Sequence, residues 1–276
     1  MRWCLSSLVL LALVVVGPAR GAVGAQAGVP TLRQLHHTAW TLRDGAPGDI
    51  DALAQSADGF LWLGTSTGLY RFDGVRFERY ERQGQPLPSD NISTLLALPD
   101  SSLWIGYRFG GASVLTRTHL VSYGSPEGCP SGTTEGIARD STGTVWLATT
   151  TGLARLRAGR CQVVGSESGF PGGVTSSLHV DRRGTLWVAA VAGVFALPRG
   201  GATFTQRAPS IGFGDPGSLA EAPDGSMWGA SDTKGPVQIA DASGAPAALA
   251  LPAGLAGSGP EHLVGGTRRL GCIAAP

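Results

Sequence analysis

Five histidines, His36, His37, His119, His179 and His262, are the side chains of this 276-residue chain best suited to acid–base or metal chemistry. Their spacing does not gather them. No His-x-x-x-His or His-Glu-x-x-His pair puts two imidazoles on one helix face. His36 and His37, adjacent on an extended segment, point to opposite sides. Nucleophiles are equally unsupported: Gly165-Ser-Glu-Ser-Gly169 has Glu167 where a nucleophile elbow requires serine, Gly257-Ser-Gly259 reads as loop, and no phosphate-binding loop occurs. The acids sit in turns, Asp58-Gly59, Asp73-Gly74, Asp140-Ser-Thr-Gly143, Asp181-Arg-Arg-Gly184 and Asp224-Gly225. There a carboxylate accepts hydrogen bonds from backbone groups two residues on, whereas calcium loops carry denser carboxylates. We expect no catalytic, cofactor-binding or metal-ligating residue, no cofactor, and no enzyme activity in this chain.

What must position any site is a repeat. Trp62, Trp104, Trp146, Trp187 and Trp228 recur at intervals of 42, 42, 41 and 41 residues, the signature of copies of one supersecondary unit. The first copy reads as four β-type runs, Ile50–Gln55, Phe60–Thr65, Leu69–Phe72 and Val75–Tyr80, separated by Gly-containing turns. A small residue follows each tryptophan by two positions: Gly64, Gly106, Ala148, Ala189 and Ala230. We expect it to make room for a neighbouring sheet's indole. One four-stranded antiparallel sheet per 40-odd residues predicts an all-β fold, a β-propeller with about five readable blades. A β-solenoid, the structural rival, would have a shorter period.

Composition bounds the rest. Gly is 42 residues and charged residues only 15%, as short strands and tight turns require. Residues 1–27 read as a secretory signal: Arg2, the apolar stretch Leu5–Val16, the break Gly17-Pro18, and Ala25-Gln26-Ala27 as the cleavage site. Its removal takes Arg2 and Arg20 and leaves 19 basic against 20 acidic side chains. That balance gives no electrostatic case for nucleic acid or an anionic membrane. Export permits a Cys129–Cys161 disulfide; two free, half-buried thiols are the alternative.

Residues 28–47 form an N-terminal segment in which Leu35–Thr41 has the phase of an orphan outer strand. The repeats occupy 48–250. In 251–276, where a sixth tryptophan is due, Arg269-Leu270 stands instead. We expect truncation or a reading-frame change in the sixth repeat; a five-bladed ring with a short irregular tail is the alternative.

The phrase Ala52-Leu-Ala-Gln-Ser-Ala-Asp-Gly-Phe-Leu-Trp-Leu-Gly-Thr-Ser-Thr-Gly-Leu-Tyr-Arg-Phe-Asp-Gly-Val-Arg-Phe-Glu-Arg-Tyr80 resembles the two-component regulator propeller repeat, as does Leu103-Trp-Ile-Gly106. The copies at Thr144–Ala148 and Thr185–Ala189 are similar but weaker. The lead-in His36–Gly48 resembles the segment that opens such sensor regions in Gram-negative bacteria. The resemblance covers roughly residues 34–250. It implies the exported, ligand-sensing propeller region of a membrane-bound sensor histidine kinase, commonly seven-bladed, so that this chain would be an incomplete ring. Such proteins continue into a β-sandwich, a transmembrane helix and a cytoplasmic kinase. None of these is readable here, so we expect a periplasmic sensory region without the kinase part. The resemblance implies an unknown small ligand, saccharides among the candidates, and a membrane kinase portion as partner in full-length relatives.

The alternatives are a propeller enzyme of the lyase or glycoside hydrolase class and a plain protein-interaction scaffold. The turns at Asp140 and Asp181 resemble the Asp-box of sialidases, itself a structural turn. A sialidase also needs an Arg cluster and a Tyr nucleophile, and the chain's tyrosines are Tyr70, Tyr80, Tyr107 and Tyr123. Ligands meet propellers at loops that differ between copies. The candidates are Asp44–Asp49, Gln85–Asn91, Gly124–Glu135, Ser166–Val174 and Ala208–Gly217, with Arg108-Phe109 as the most irregular insertion within a copy.

Overall fold

Short apolar runs separated by turns close into hairpins because neighbouring runs are too near in sequence for any other pairing. A computed structural model describes residues 38–81, 84–210, 219–231 and 235–246, and the backbone of 262–265 and 270–273. The signal segment, His36 and His37 lie outside the described residues.

The first sheet holds β1 (Ile50–Gln55), β2 (Leu61–Thr65), β3 (Gly68–Phe72) and β4 (Phe77–Arg79). The second holds β5 (Ile92–Ala97), β6 (Leu103–Tyr107), β7 (Ala112–Leu115) and β8 (Leu120–Tyr123). The third holds β9 (Thr134–Arg139), β10 (Val145–Thr149), β11 (Gly152–Arg157) and β12 (Arg160–Val164). The fourth holds β13 (Thr175–Val180), β14 (Leu186–Ala190), β15 (Gly193–Leu197) and β16 (Thr205–Pro209). The fifth holds β17 (Leu219–Glu221), β18 (Met227–Ser231) and β19 (Gly235–Ala240). Each is an antiparallel meander in chain order, and the first strands β1, β5, β9, β13 and β17 lie side by side in succession. The chain folds as a β-propeller, with those strands innermost.

Residues 247–261, which follow the fifth sheet, fall outside the described residues. Beyond them, β20 (His262–Gly265) pairs antiparallel with β21 (Leu270–Ile273), and β20 lies beside β17. This places β20 in the innermost position of a further sheet, in a tail whose sequence offers no alternation. At the other end, residues 38–41 carry no strand. Trp40 instead sets its ring edge-on against Phe72, at 5.0 Å between centroids.

The core lies between sheets. Trp62, Trp104, Trp146 and Trp187 are 8%, 7%, 3% and 3% exposed, and each packs into a cluster shared with the following blade. Burying one indole removes roughly 150–250 Å² from water, which contributes about 4–6 kcal/mol at about 25 cal/mol per Å². A blade presents this face only to its neighbour, so none is stable alone.

The small residues behind the tryptophans answer to a different pressure from the one expected. A Cβ on Gly64 would stand 2.5 Å from Cγ2 of Ile92, the first residue of the next blade's inner strand. One on Gly106 would stand 2.5 Å from Cγ2 of Thr94 and 2.8 Å from that of Thr134. Branched side chains where inner strands converge, rather than an indole, exclude larger residues here.

Candidate functional site

In a four-stranded meander, the turns between first and second strands lie at one end of the propeller. The turns between second and third strands, and the connections between blades, lie at the other. The two ends differ in chemistry.

At the first end the acids are structural. Asp140 Oδ1 accepts from the backbone N–H of Thr142 (2.8 Å) and Thr144 (3.0 Å), and Oδ2 accepts the indole N–H of Trp146 at 2.8 Å. Asp181 repeats this with Arg183, Thr185 and Trp187. Where the aspartate is displaced, serine substitutes: Trp62 donates to Ser56 Oγ at 3.0 Å and Trp228 to Ser226 Oγ at 2.9 Å. Burial pushes the Asp140 carboxyl up, but its bonds from Thr142, Trp146 and Thr144 outweigh this and hold it below the usual range. The indole partner escaped the sequence reading, although the recurring six-residue step from Asp140 to Trp146 and from Asp181 to Trp187 is its trace.

At the second end the four complete blades share a feature that sequence reasoning missed. Each inner strand starts with a β-bulge. Ile50 pairs with Thr65 and Ala52 with Gly64, leaving Asp51 extra. Ser93, Glu135 and Ser176 are extra in the same way in the next three blades. A bulge leaves its residue outside the ladder and re-aims its side chain. The four bulge positions thus carry two carboxylates and two hydroxyls along the connecting end of the inner strands.

The candidate loops converge on this end. Arg108, in the turn after β6, donates from Nε to Asn91 Oδ1 at 3.1 Å and lies 3.5 Å from Asp51 Oδ2. Its carbonyl accepts from Thr133 Oγ1. Arg108 therefore ties Gln85–Asn91, Gly124–Glu135 and the bulge of the first blade together. Phe109 beside it is 76% exposed. Gln85–Asp90 also walls a cavity of about 420 Å³ with Arg79, Tyr80 and Leu120. In the lead-in Asp44–Asp49, Asp44 closes a capping box on Thr41 and belongs to a 3₁₀ turn. Of Ala208–Gly217, residues 211–217 lie outside the described residues.

Of the histidine side chains, those of His119 and His179 are described. His119 lies in the exposed turn before β8, against Thr118. His179 lies on β13, with Nε2 buried, unpartnered, and 4.0 Å from Glu221 Oε2 on β17. Only the backbone of His262 is described. Among the described residues no group of three His, Cys, Asp or Glu side chains could hold a metal ion, and no helix is long and apolar enough to cross a membrane. Cys129 and Cys161 form a disulfide, with Cα atoms 4.8 Å apart. It ties the connection between blades two and three to the outer strand of blade three.

No protein-family model matches this chain, and no curated protein matches its sequence. Solved structures do match its fold. Virginiamycin B lyase from Staphylococcus aureus superposes with a TM-score of 0.64 at 15% identity, over 82% of this chain and 78% of that one. A streptogramin B lyase structure gives 0.65 at 14% identity, over 82% and 76%. The extracellular domain assigned to the hybrid two component system BT3049 from B. thetaiotaomicron gives 0.51 at 16% identity, over 82% of this chain and 39% of that one. Such identities speak to the fold alone. They correct one expectation: lyases stand among the similar folds, so the absence of enzyme activity expected from the sequence does not stand. The same propeller carries catalysis in those proteins.

Proposed function

We propose that this chain is the exported, ligand-sensing propeller region of a two-component sensor, binding a small molecule at the end where its blades connect. One observation carries the reading. The four bulge positions hold constant geometry but varied chemistry (Asp51, Ser93, Glu135, Ser176), while the opposite end repeats one turn that serves the core. Variation on a fixed scaffold is what selective recognition needs. The resemblance of the first repeat to two-component regulator propellers, and the sensor extracellular domain among the similar folds, support the same reading. Carboxylates, hydroxyls and the Arg108 guanidinium suit a hydroxyl-rich ligand, and exposed Phe109 offers a ring for stacking. Ligand held across several blades would bias the geometry of whatever follows the propeller, including a membrane kinase portion in full-length relatives.

A thermal-shift screen of the purified chain against neutral oligosaccharides tests this. A stabilising saccharide whose effect disappears in Arg108→Ala and Glu135→Gln is the expected result. A saccharide that stabilises both variants as it does the parent would place recognition elsewhere.

A further inference from the structure

The face of the third blade turned toward the fourth carries two arginines. Arg155 pairs in register with Trp146, and Arg157 follows two residues on, so both leave the sheet on the side of the buried indole. From the fourth blade, the turn after β15 brings Arg199 to the same cleft. The cleft holds about 350 Å³, within the roughly 300–1,000 Å³ of small-molecule sites.

The charge in it is one-sided in availability. Arg155, Arg157 and Arg199 make no ion pair among the described residues; Arg155 donates only to the neutral Gln162 at 3.1 Å. Both carboxylates on the lining are engaged by backbone donors: Asp140 by its turn and indole, Glu167 by the Gly165 N–H at 3.1 Å. Three guanidiniums sharing a cleft repel one another unless an anion arrives, and a guanidinium matches a carboxylate or sulfate with two parallel hydrogen bonds. Ser141 and Thr142 on the rim add hydroxyls, and exposed Pro198 adds an apolar surface.

We infer that the cleft between the third and fourth blades binds a small hydroxylated anion, a sugar acid or sugar sulfate. The charged group sits among Arg155, Arg157 and Arg199, and the ring lies against Pro198. The lining shares only Glu167 and Ser168 with a connecting loop and does not include Arg108, and the inference does not rest on the sensory reading.

Titration calorimetry of the full chain with glucuronate, glucose 6-sulfate, glucose and inorganic sulfate tests it. Saturable binding of glucuronate or glucose 6-sulfate is expected, weakened about ten-fold or more by Arg157→Ala and by Arg199→Ala. The stronger of the two sugars identifies the charged group. Arg108→Ala, at the connecting end, leaves this binding intact. Both variants alter exposed side chains, and unchanged melting temperatures will show that they fold. The inference is overturned if neither charged sugar binds, if glucose binds as well as they do, if inorganic sulfate alone binds as tightly, or if both arginine variants bind like the parent.

Discussion

Trp146 donates its indole N–H to Asp140 Oδ2 at 2.8 Å, six residues back across the hairpin turn. One carboxylate thereby organises a turn with one oxygen and orients a core indole with the other. Asp181 and Trp187 repeat the arrangement at 2.9 Å. A turn signal and a core signal that look independent in the sequence are one physical device.

Asp140→Ala should therefore cost more than a surface turn substitution. It leaves a buried indole donor and two turn amides without their acceptor, a loss of about 1–3 kcal/mol. Urea unfolding of the variant beside Asp73→Ala, whose exposed carboxylate accepts from the Val75 and Arg76 amides and from no indole among the described residues, will measure the difference.

Gly64→Val should destabilise by about 1–3 kcal/mol through overpacking, because Ile92 of the next blade already occupies the space a side chain would need. Gly48→Ala is the control: its Cβ would meet only Leu42, at 3.8 Å. Equal melting temperatures for the two variants would contradict this account of how blades converge.

His179 sets a pH dependence. Burial lowers its proton affinity, against the opposing attraction of Glu221 and Asp181. The unfolded imidazole, near pKa 6.5, then binds protons more readily than the folded one. Stability from this group is complete above about pH 6.5 and declines as pH falls through that value toward the lower folded one. Melting curves from pH 7.5 to 5.5 should show a decline that His179→Gln reduces.

Reducing the Cys129–Cys161 disulfide, which spans 32 residues, should lower unfolding stability by about 3–4 kcal/mol on the chain-entropy model. Denaturation with and without reductant checks it, and the double serine variant should be insensitive to reductant.

The architecture was legible because a propeller writes its period into its largest side chains. The first copy's four runs fall at β1 to β4 within a few residues. The bulges at Asp51, Ser93, Glu135 and Ser176 were not legible, because a bulge is a property of pairing register and two strands must be aligned before the extra residue exists. Arg108 stood out as an irregularity, but its partners Asn91 and Asp51 come from a neighbouring connection and a neighbouring blade. No local pattern encodes those distances. The disulfide stayed open for the same reason, since spacing alone cannot bring Cys129 and Cys161 within bridging reach.

Amide hydrogen exchange with and without a stabilising neutral saccharide tests the central claim most directly. Binding at the connecting end predicts slowed exchange at residues 89–93, 107–111 and 131–135, with the turn at 56–60 unchanged. Protection confined to the hairpin turns, with none at those three segments, would contradict it.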